Sequence, residues 1–236
     1  MIIKPIASSS AGNCHYISDG KTSLLLDCGI PIDKIRIALD FKLSEVAGCL
    51  LTHEHKDHSK AFEDILKSRV QIFALYSTIV ACRPKNPACT MHAIDEVSEF
   101  SIGTFRVRHF PVEHDVPNTG YLIRSSVTKE TLVYFTDTAY LSFIFPQVDY
   151  IMGEINYSVD TLNAGVAAGK IPVALRNRIV KSHMELHTFL DWLKACREAG
   201  ARPKQIYLLH LSDSNSRADD FKRDVQRLTG CEVYLC

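Results

Sequence analysis

Apolar and β-branched residues come in short runs along the first half of the chain, and the runs at 2–7, 14–18 and 23–26 read as strands. The stretch 33–39 spaces Ile35, Ile37 and Leu39 ambiguously, but Pro31 at its start suits a helix entry. Residues 46–51 form a buried-type strand that stops at Thr52, and Phe62, Ile65 and Leu66 follow at helical spacing. Further strands are predicted at 70–75, 104–110, 120–123, 132–135 and 150–152. Helices are predicted at 172–181 and 186–199, the second with Phe189, Leu190, Leu193 and Cys196 on one face. A strand at 205–209, a helix at 217–228 and a strand at 232–235 complete the pattern, so strands dominate early and alternate with helices later. No repeat or long linker interrupts the 236 residues, and one domain spanning 1–236 is expected.

Asp27, His53, His114, Asp137 and His210 each stand where an apolar β-type run gives way to a loop. A side chain there is held by a rigid sheet yet open to ligand, which is why binding sites form at such places.

Composition narrows the class. An apolar share of 46% with 23% charged residues is that of a globular protein. Basic and acidic side chains number 27 each, so no global charge draws the chain to nucleic acid. No apolar run approaches the ~20 residues needed to span a bilayer, and the N-terminus is interrupted too early for a secretory signal. The eight cysteines, among them Cys28, Cys49, Cys82, Cys89 and Cys196, are scattered without a C-x-x-C pair. They read as reduced thiols, and a cytoplasmic protein without a membrane partner is expected. Nothing in the sequence points to a particular oligomeric state.

The run Thr52-His53-Glu54-His55-Lys56-Asp57-His58 packs three imidazoles and two carboxylates into six positions. Imidazole suits zinc, manganese and related ions, and a carboxylate can ligate an ion or orient its water. His53 and His55, two apart in an extended turn, can face one ion, while Asp57 and His58 open the next helix and face a second. The bland alternative, a solvated polar turn, fits a lone histidine better than this spacing. His114, Asp137 and His210 supply the further ligands that two ions need, with Asp137 able to bridge. Two ions a few ångströms apart lower the pKa of a shared water toward neutrality and polarise the bond attacked, which points to hydrolysis.

With these residues in place the sequence resembles the metallo-β-lactamase superfamily, whose H-x-H-x-D-H motif is matched by His53, His55, Asp57 and His58. The resemblance implies an α/β fold, a four-layer αββα sandwich. It implies one ion on His53, His55 and His114, a second on Asp57, His58 and His210, and Asp137 between them. Asp27, in Leu26-Asp27-Cys28-Gly29, would support the histidines without ligating. Within the superfamily the chain is most similar to the YycJ/WalJ-type branch of single-strand, 5′-to-3′ DNA exonucleases. The segments that carry this likeness run from Ser8-Ser9-Ser10-Ala11-Gly12-Asn13-Cys14 through Phe135-Thr136-Asp137-Thr138-Ala139-Tyr140 and Glu154-Ile155-Asn156-Tyr157. The helix 172–179 and His210-Leu211-Ser212-Asp213-Ser214-Asn215 complete it. Ala139 and Ser182 replace glycines of the branch, Glu185 stands in the segment where it has G-H-L-S, and Ser216 replaces an asparagine. His183 matches the branch histidine that would stabilise the scissile phosphate or leaving group, beside Asp57 as the residue orienting the water.

Several features carry two readings. His183 and His187, four apart, would share a face if one helix held both, or would cap or flank it. Lys170, Arg176, Arg178 and Lys181 read as a phosphate-binding patch or as a solvated helix face. The turn from Ser8 to Asn13 offers backbone N–H groups to a phosphate or is a plain tight turn. Asn13, Asn156, Arg176, Arg178, Ser212 and Asn215 are the expected substrate contacts. His15, His92 and His109 read as structural or surface residues.

The expected function is a dinuclear-metal phosphodiesterase acting on DNA, loaded with zinc or, as the alternative, manganese. The rival readings are a small-molecule hydrolase for a thioester, lactone or β-lactam and an RNA-processing nuclease, both on the same centre. A redox di-iron centre would carry glutamate where His55 stands, and a binding module without catalysis would not need so full a ligand set.

Overall fold

Parallel pairing of short apolar strands shapes the N-terminal part of the molecule. The structure, a computed structural model, describes residues 1–83, 90–212 and 215–236, so Cys89, Asp213 and Ser214 lie outside the described residues. The chain divides into two compact units, Met1–Phe110 with Val116–Glu130 and Pro111–Asp115 with Thr131–Cys236.

In the first unit, β1 (Ile2–Ala7), β2 (Cys14–Ser18) and β3 (Ser23–Leu26) pair antiparallel. From β3 the sheet continues in parallel through β4 (Gly48–Leu50), β5 (Gln71–Ala74) and β6 (Met91–Ala93). Parallel neighbours cannot be joined by a tight hairpin; the chain must cross over, usually through a helix. Here α1 (Ile32–Ala38) lies between β3 and β4, α2 (Lys56–Ser59) and α3 (Phe62–Lys67) between β4 and β5, and α4 (Tyr76–Cys82) between β5 and β6. Strands outnumber helices in this half as expected, and α1, α2 and α3 stand where the sequence pattern places helices. The helix α4, seven residues long, was absent from it. Two short strands, β6 and β7 (Phe100–Ile102), were also absent from the sequence pattern. β7 pairs antiparallel with β8 (Phe105–Val112), whose burial alternates as a one-sided strand should, and β9 (Asn118–Ser125) follows. Leu25, Ile35, Leu51, Phe62, Ile65 and Ile72 belong to the core of this unit.

The second unit pairs β10 (Thr131–Phe135), β11 (Tyr150–Glu154), β12 (Gln205–Leu209) and β13 (Glu232–Leu235) in parallel. Between β11 and β12 run α5 (Val159–Ala167), α6 (Val173–Ser182) and α7 (Leu186–Glu198), and α8 (Ala218–Thr229) precedes β13. Phe189, Leu193 and Cys196 are buried along α7 as expected, joined by Leu186 and Trp192, whereas Leu190 is only half-buried. The helix α5 has no counterpart in the sequence reading. Among the described residues no helix is long and apolar enough to cross a membrane.

Parallel strands all present their carboxyl ends on one edge, where ligands of open α/β sheets bind. Asp27 follows β3, Thr52 and His53 follow β4, Asp137 follows β10, Glu154 ends β11 and His210 follows β12. Three of these, Asp27, Asp137 and His210, have left-handed backbones, with φ of 58°, 49° and 53°.

Candidate functional site

In the first unit the site is built from backbone contacts among three segments, the turn at Asn13, the loop at Cys28 and Gly29 and the stretch from Asp57 to Ala61. The amide of Cys28 donates to the carbonyl of His58 at 2.8 Å, and the amide of Ala61 returns to Cys28 at 2.9 Å. The amide of Asn13 donates to the carbonyl of Asp57 at 2.7 Å, and that of Gly29 to Asn13 at 2.8 Å. So close an approach excludes a side chain at position 29, where an added Cβ would stand 1.6 Å from the Asp57 carbonyl oxygen.

On this frame sits a buried polar cluster. Asp27, fully buried, accepts the Thr52 amide at 2.8 Å and the Thr52 hydroxyl at 3.0 Å, and meets His58 Nδ1 at 2.8 Å. The Thr52 hydroxyl also lies 3.0 Å from His53 Nδ1. His53 packs its ring 4.7 Å from His55 and 4.2 Å from His58. With Nδ1 facing a carboxylate, His58 turns Nε2 toward Asp57, 3.6 Å from Oδ2. That gap is too long for a hydrogen bond. Two donor atoms on one ion at metal–ligand distances near 2.1 Å lie roughly 3.3–3.6 Å apart, which fits.

A second cluster occupies the second unit, and its centre is a residue the sequence reading left unassigned. Glu154, fully buried, faces His183 Nδ1 at 2.6 Å and His210 Nδ1 at 3.2 Å with one oxygen. Its other oxygen accepts the Thr138 amide at 2.8 Å. Burial alone would raise its pKa, but the His183 charge and the hydrogen bonds from both histidines bring it below the usual range. Burial likewise pulls His183 down, and the Glu154 carboxylate outweighs it, leaving His183 raised. The two shifts agree on an imidazolium–carboxylate pair. His183 stacks on His210 with centroids 5.2 Å apart and planes 15° apart.

Asp137 offers its two oxygens in different directions. Oδ1 lies 3.8 Å from His210 Nε2 and Oδ2 lies 3.9 Å from His114 Nε2. Each gap again exceeds a hydrogen bond and approaches the separation across a shared ion, so the pattern suits a bridging carboxylate. His114 is aimed by Ser182, whose carbonyl accepts from Nδ1 at 3.2 Å. Burial, more than its acidic neighbours, sets the His114 pKa, which is lowered. Imidazole and carboxylate donors of this kind suit divalent cations, and each unit offers its own: His53, His55, Asp57 and His58 in the first, His114, Asp137 and His210 in the second.

The remaining expectations fall out unevenly. Asn13 is buried, and its amide nitrogen lies 3.0 Å from the Ser9 carbonyl and 3.1 Å from His58 Nε2. Asn156, also buried, donates to the His210 carbonyl at 2.8 Å and so holds the strained residue in place. Asn215 is buried near it in the chain, its carbonyl accepting the Ser158 amide at 3.1 Å, and the Ser212 amide donates to the Asn156 carbonyl at 3.1 Å. Arg178 is exposed on α6 and reaches Asp115, the neighbour of His114, at 3.9 Å; Arg176 is half-buried on the same helix. His183 and His187 do not share a helix face: His183 ends α6 with an extended backbone, and His187 lies in the first turn of α7. The departures at Ala139 and Ser182 are harmless, because neither residue has a positive φ. Glu185 caps α7, its carboxylate accepting the amides of His187 and Thr188. His15 is buried, His92 is exposed and stacks on Phe73, and His109 is half-buried.

A family profile described as the β-lactamase superfamily domain matches residues 22–211. The chain belongs to this family. The superfamily match covers the histidine motif and both clusters. Exodeoxyribonuclease WalJ of Streptococcus pneumoniae serotype 2 is 28% identical over 224 residues, spanning 89% of this chain and 81% of the relative. Exodeoxyribonuclease YycJ of Bacillus anthracis is 26% identical over 251 residues, spanning 94% and 87%. Among solved structures, the metallo-β-lactamase fold protein YhfI of Bacillus subtilis superposes with a TM-score of 0.76 at 17% identity, covering 99% of this chain and 95% of the other. The mixed α/β sandwich of four αββα layers expected from the sequence is therefore the fold of this superfamily member.

Proposed function

We propose that the chain is a dinuclear-metal-dependent phosphodiesterase that degrades DNA from a single-stranded end. His53, His55 and His114 would hold one ion, Asp57, His58 and His210 the other, with Asp137 bridging, as the family resemblance implies. The same reading takes 1–236 as one working domain. Zinc is the preferred ion and manganese the alternative, since imidazole and carboxylate accept both. When bound, two such ions supply a water acidified toward neutrality and positive charge against the scissile phosphodiester.

The chain's own residues divide the remaining work. Asp57, partly exposed at the start of α2, orients the attacking water. His183 donates a proton from Nε2 to the departing oxygen, because Glu154 holds its Nδ1 and keeps the ring charged. Arg178 and Arg176 on α6 meet the phosphate backbone, and Ser212 lies on the loop after His210. Asn13, Asn156 and Asn215, buried as they are, serve the substrate by fixing the site around it. The observation that carries this reading is the buried Glu154 carboxylate 2.6 Å from His183 beside His210: an imidazole so partnered is placed to give a proton to a leaving alkoxide. The names of the two relatives favour DNA. Scattered free thiols support a cytoplasmic setting.

The test is digestion of end-labelled single-stranded DNA, duplex DNA and RNA by protein loaded with zinc or manganese, beside an Asp57→Ala, His58→Ala double variant. Metal-dependent digestion of single-stranded DNA, absent from the variant, is the expected result, and 5′- and 3′-labelled ladders give the polarity. Intact nucleic acids in the presence of tightly bound metal would overturn the nuclease reading and move the search to thioesters and lactones.

A further inference from the structure

The loop that follows Asp137 presents a surface that metal chemistry leaves unexplained. Tyr140, Phe143 and Ile144 are exposed by 56%, 38% and 50%. Single exposed apolar side chains are ordinary, but three within five residues form a patch that asks for an occupant. The backbone beneath them is fixed. The Thr138 hydroxyl donates to the Tyr140 carbonyl at 2.8 Å, and the Ala139 amide donates to the carbonyl of Glu113, the neighbour of His114, at 3.2 Å. Trp192 Nε1 donates to the Phe143 carbonyl at 2.8 Å, and Leu141 and Phe145 are buried on either side. The loop is therefore held by its backbone and by buried Leu141 and Phe145, while Tyr140, Phe143 and Ile144 stand in solvent.

Position limits what the patch can meet. Tyr140 is three residues from Asp137, so the two Cα atoms are at most about 11 Å apart. A phosphodiester at the bridging carboxylate would bring the base of an adjoining nucleotide into that range. Unpaired bases have open π-faces and stack on aromatic side chains without regard to sequence; in a duplex those faces are covered by neighbouring pairs.

We infer that Tyr140, flanked by Phe143 and Ile144, is a stacking platform for an unpaired base next to the scissile phosphate. The platform selects single-stranded substrate by base face and leaves base identity unread. The backbone that carries the ring is already held, so binding need not order the loop. This inference rests on the nuclease reading, and its test separates the two.

Steady-state kinetics would be measured on a single-stranded DNA oligonucleotide and on copies with an abasic residue at each of the first three positions in turn. The proteins compared are the wild type, Tyr140→Ala and Tyr140→Phe, each checked for folding by thermal melting. Tyr140→Ala raises KM for the intact strand about five- to a hundredfold, the range of one lost base stack, while kcat changes little. Tyr140→Phe, which keeps the ring, stays near wild type. At one position the abasic residue raises the wild-type KM by a similar factor yet adds almost nothing to Tyr140→Ala. An unchanged KM in Tyr140→Ala, or penalties that add at all three positions, overturns the platform while the nuclease stands. Failure of the wild type to cut any oligonucleotide overturns the nuclease reading, and the platform with it.

Discussion

Replacing Asp27 with asparagine should weaken one metal ion without touching a ligand. The Asp27 carboxylate only accepts, and its partners are the Thr52 amide at 2.8 Å, the Thr52 hydroxyl at 3.0 Å and His58 Nδ1 at 2.8 Å. His58 must then carry its proton on Nδ1 and leave Nε2 with a lone pair. The Asn13 amide, 3.1 Å from Nε2, fits the same tautomer, since it can donate there. An asparagine at 27 has one accepting oxygen, and the Thr52 backbone amide, which cannot change role, claims it. The new NH2 then faces His58 Nδ1. Either the imidazole shifts its proton to Nε2 and loses the lone pair that would ligate, or two donors confront each other in a fully buried site.

An unsatisfied buried donor costs about 1–3 kcal/mol, and loss of a carboxylate behind a metal-binding histidine typically weakens metal affinity about 10–100-fold. The two figures describe the same event and agree. Chelator-competition titration of apo protein should therefore find the ion assigned to Asp57 and His58 bound about 10–100-fold more weakly in Asp27→Asn. The ion assigned to His53, His55 and His114 should change less, although the Thr52 hydroxyl links Asp27 to His53. Wild-type affinity for both ions in a folded variant would refute the tautomer argument, because no arrangement of an asparagine amide satisfies Thr52 and a ligating His58 together.

Three other outcomes follow from the geometry. Glu154→Gln removes the charge that raises the His183 pKa, so kcat for nucleic acid should fall about a hundredfold and the alkaline limb of its pH profile should move to lower pH; an unmoved limb would show that His183 is not the acid. Gly29→Ala drives a Cβ to 1.6 Å from the Asp57 carbonyl oxygen, against the rigid Asp57–His58 peptide, and should destabilise the fold by about 3–5 kcal/mol in denaturant titration. Asp19 resists the upward pull of burial because Ser125, Thr104 and the amides of Thr22 and Lys21 donate to it, which holds its pKa at about 2; a depressed carboxylate stabilises above its unfolded pKa and loses that contribution as pH falls toward 2, so Asp19→Asn should remove about 1 kcal/mol of the acid-dependent loss seen in wild-type melts between pH 4 and 2.

What the sequence disclosed depended on whether a signal was contiguous. The run from His53 to His58 is legible because six neighbouring residues carry it, and strand ends at Asp27, Asp137 and His210 are legible because apolar runs stop abruptly there. Glu154 was overlooked for the opposite reason. It closes β11, whose five residues are all buried, and reads as the polar stop of a strand; its role depends on His183 and His210, 29 and 56 residues further along the chain. The signal that could have found it is an acid with no water-facing neighbour at the end of a fully buried strand. The helix α5 was missed because its only buried residue is Leu162, so no stripe exists to detect, and Gly165 sits in its interior. There Ile171 packs so closely that a Cβ would meet it at 2.5 Å. The legible sign was Ser158, which caps the helix by accepting the Thr161 amide.

Backbone strain gives an argument for function that does not depend on any relative. Asp27, Asp137 and His210 hold φ values where glycine is relaxed and other residues lose of order 1 kcal/mol or more. Each is pinned by buried neighbours: Asp27 by the Thr52 amide, Asp137 by the Thr136 hydroxyl at 2.8 Å, and His210 by Asn156 at its carbonyl. If these positions served only to turn the chain at the ends of β3, β10 and β12, glycine would do so at lower energy and without burying a carboxylate or an imidazole. The chain instead places Asp, Asp and His there, so the side chains must return something that folding alone does not. Their geometry says what it is. Asp27 fixes the ring of His58, Asp137 divides its oxygens between two imidazoles, and His210 turns Nε2 to Asp137 while Glu154 meets its Nδ1. Three strained residues at strand ends, each directing a donor or acceptor toward another polar side chain, are what cation binding at these ends would require.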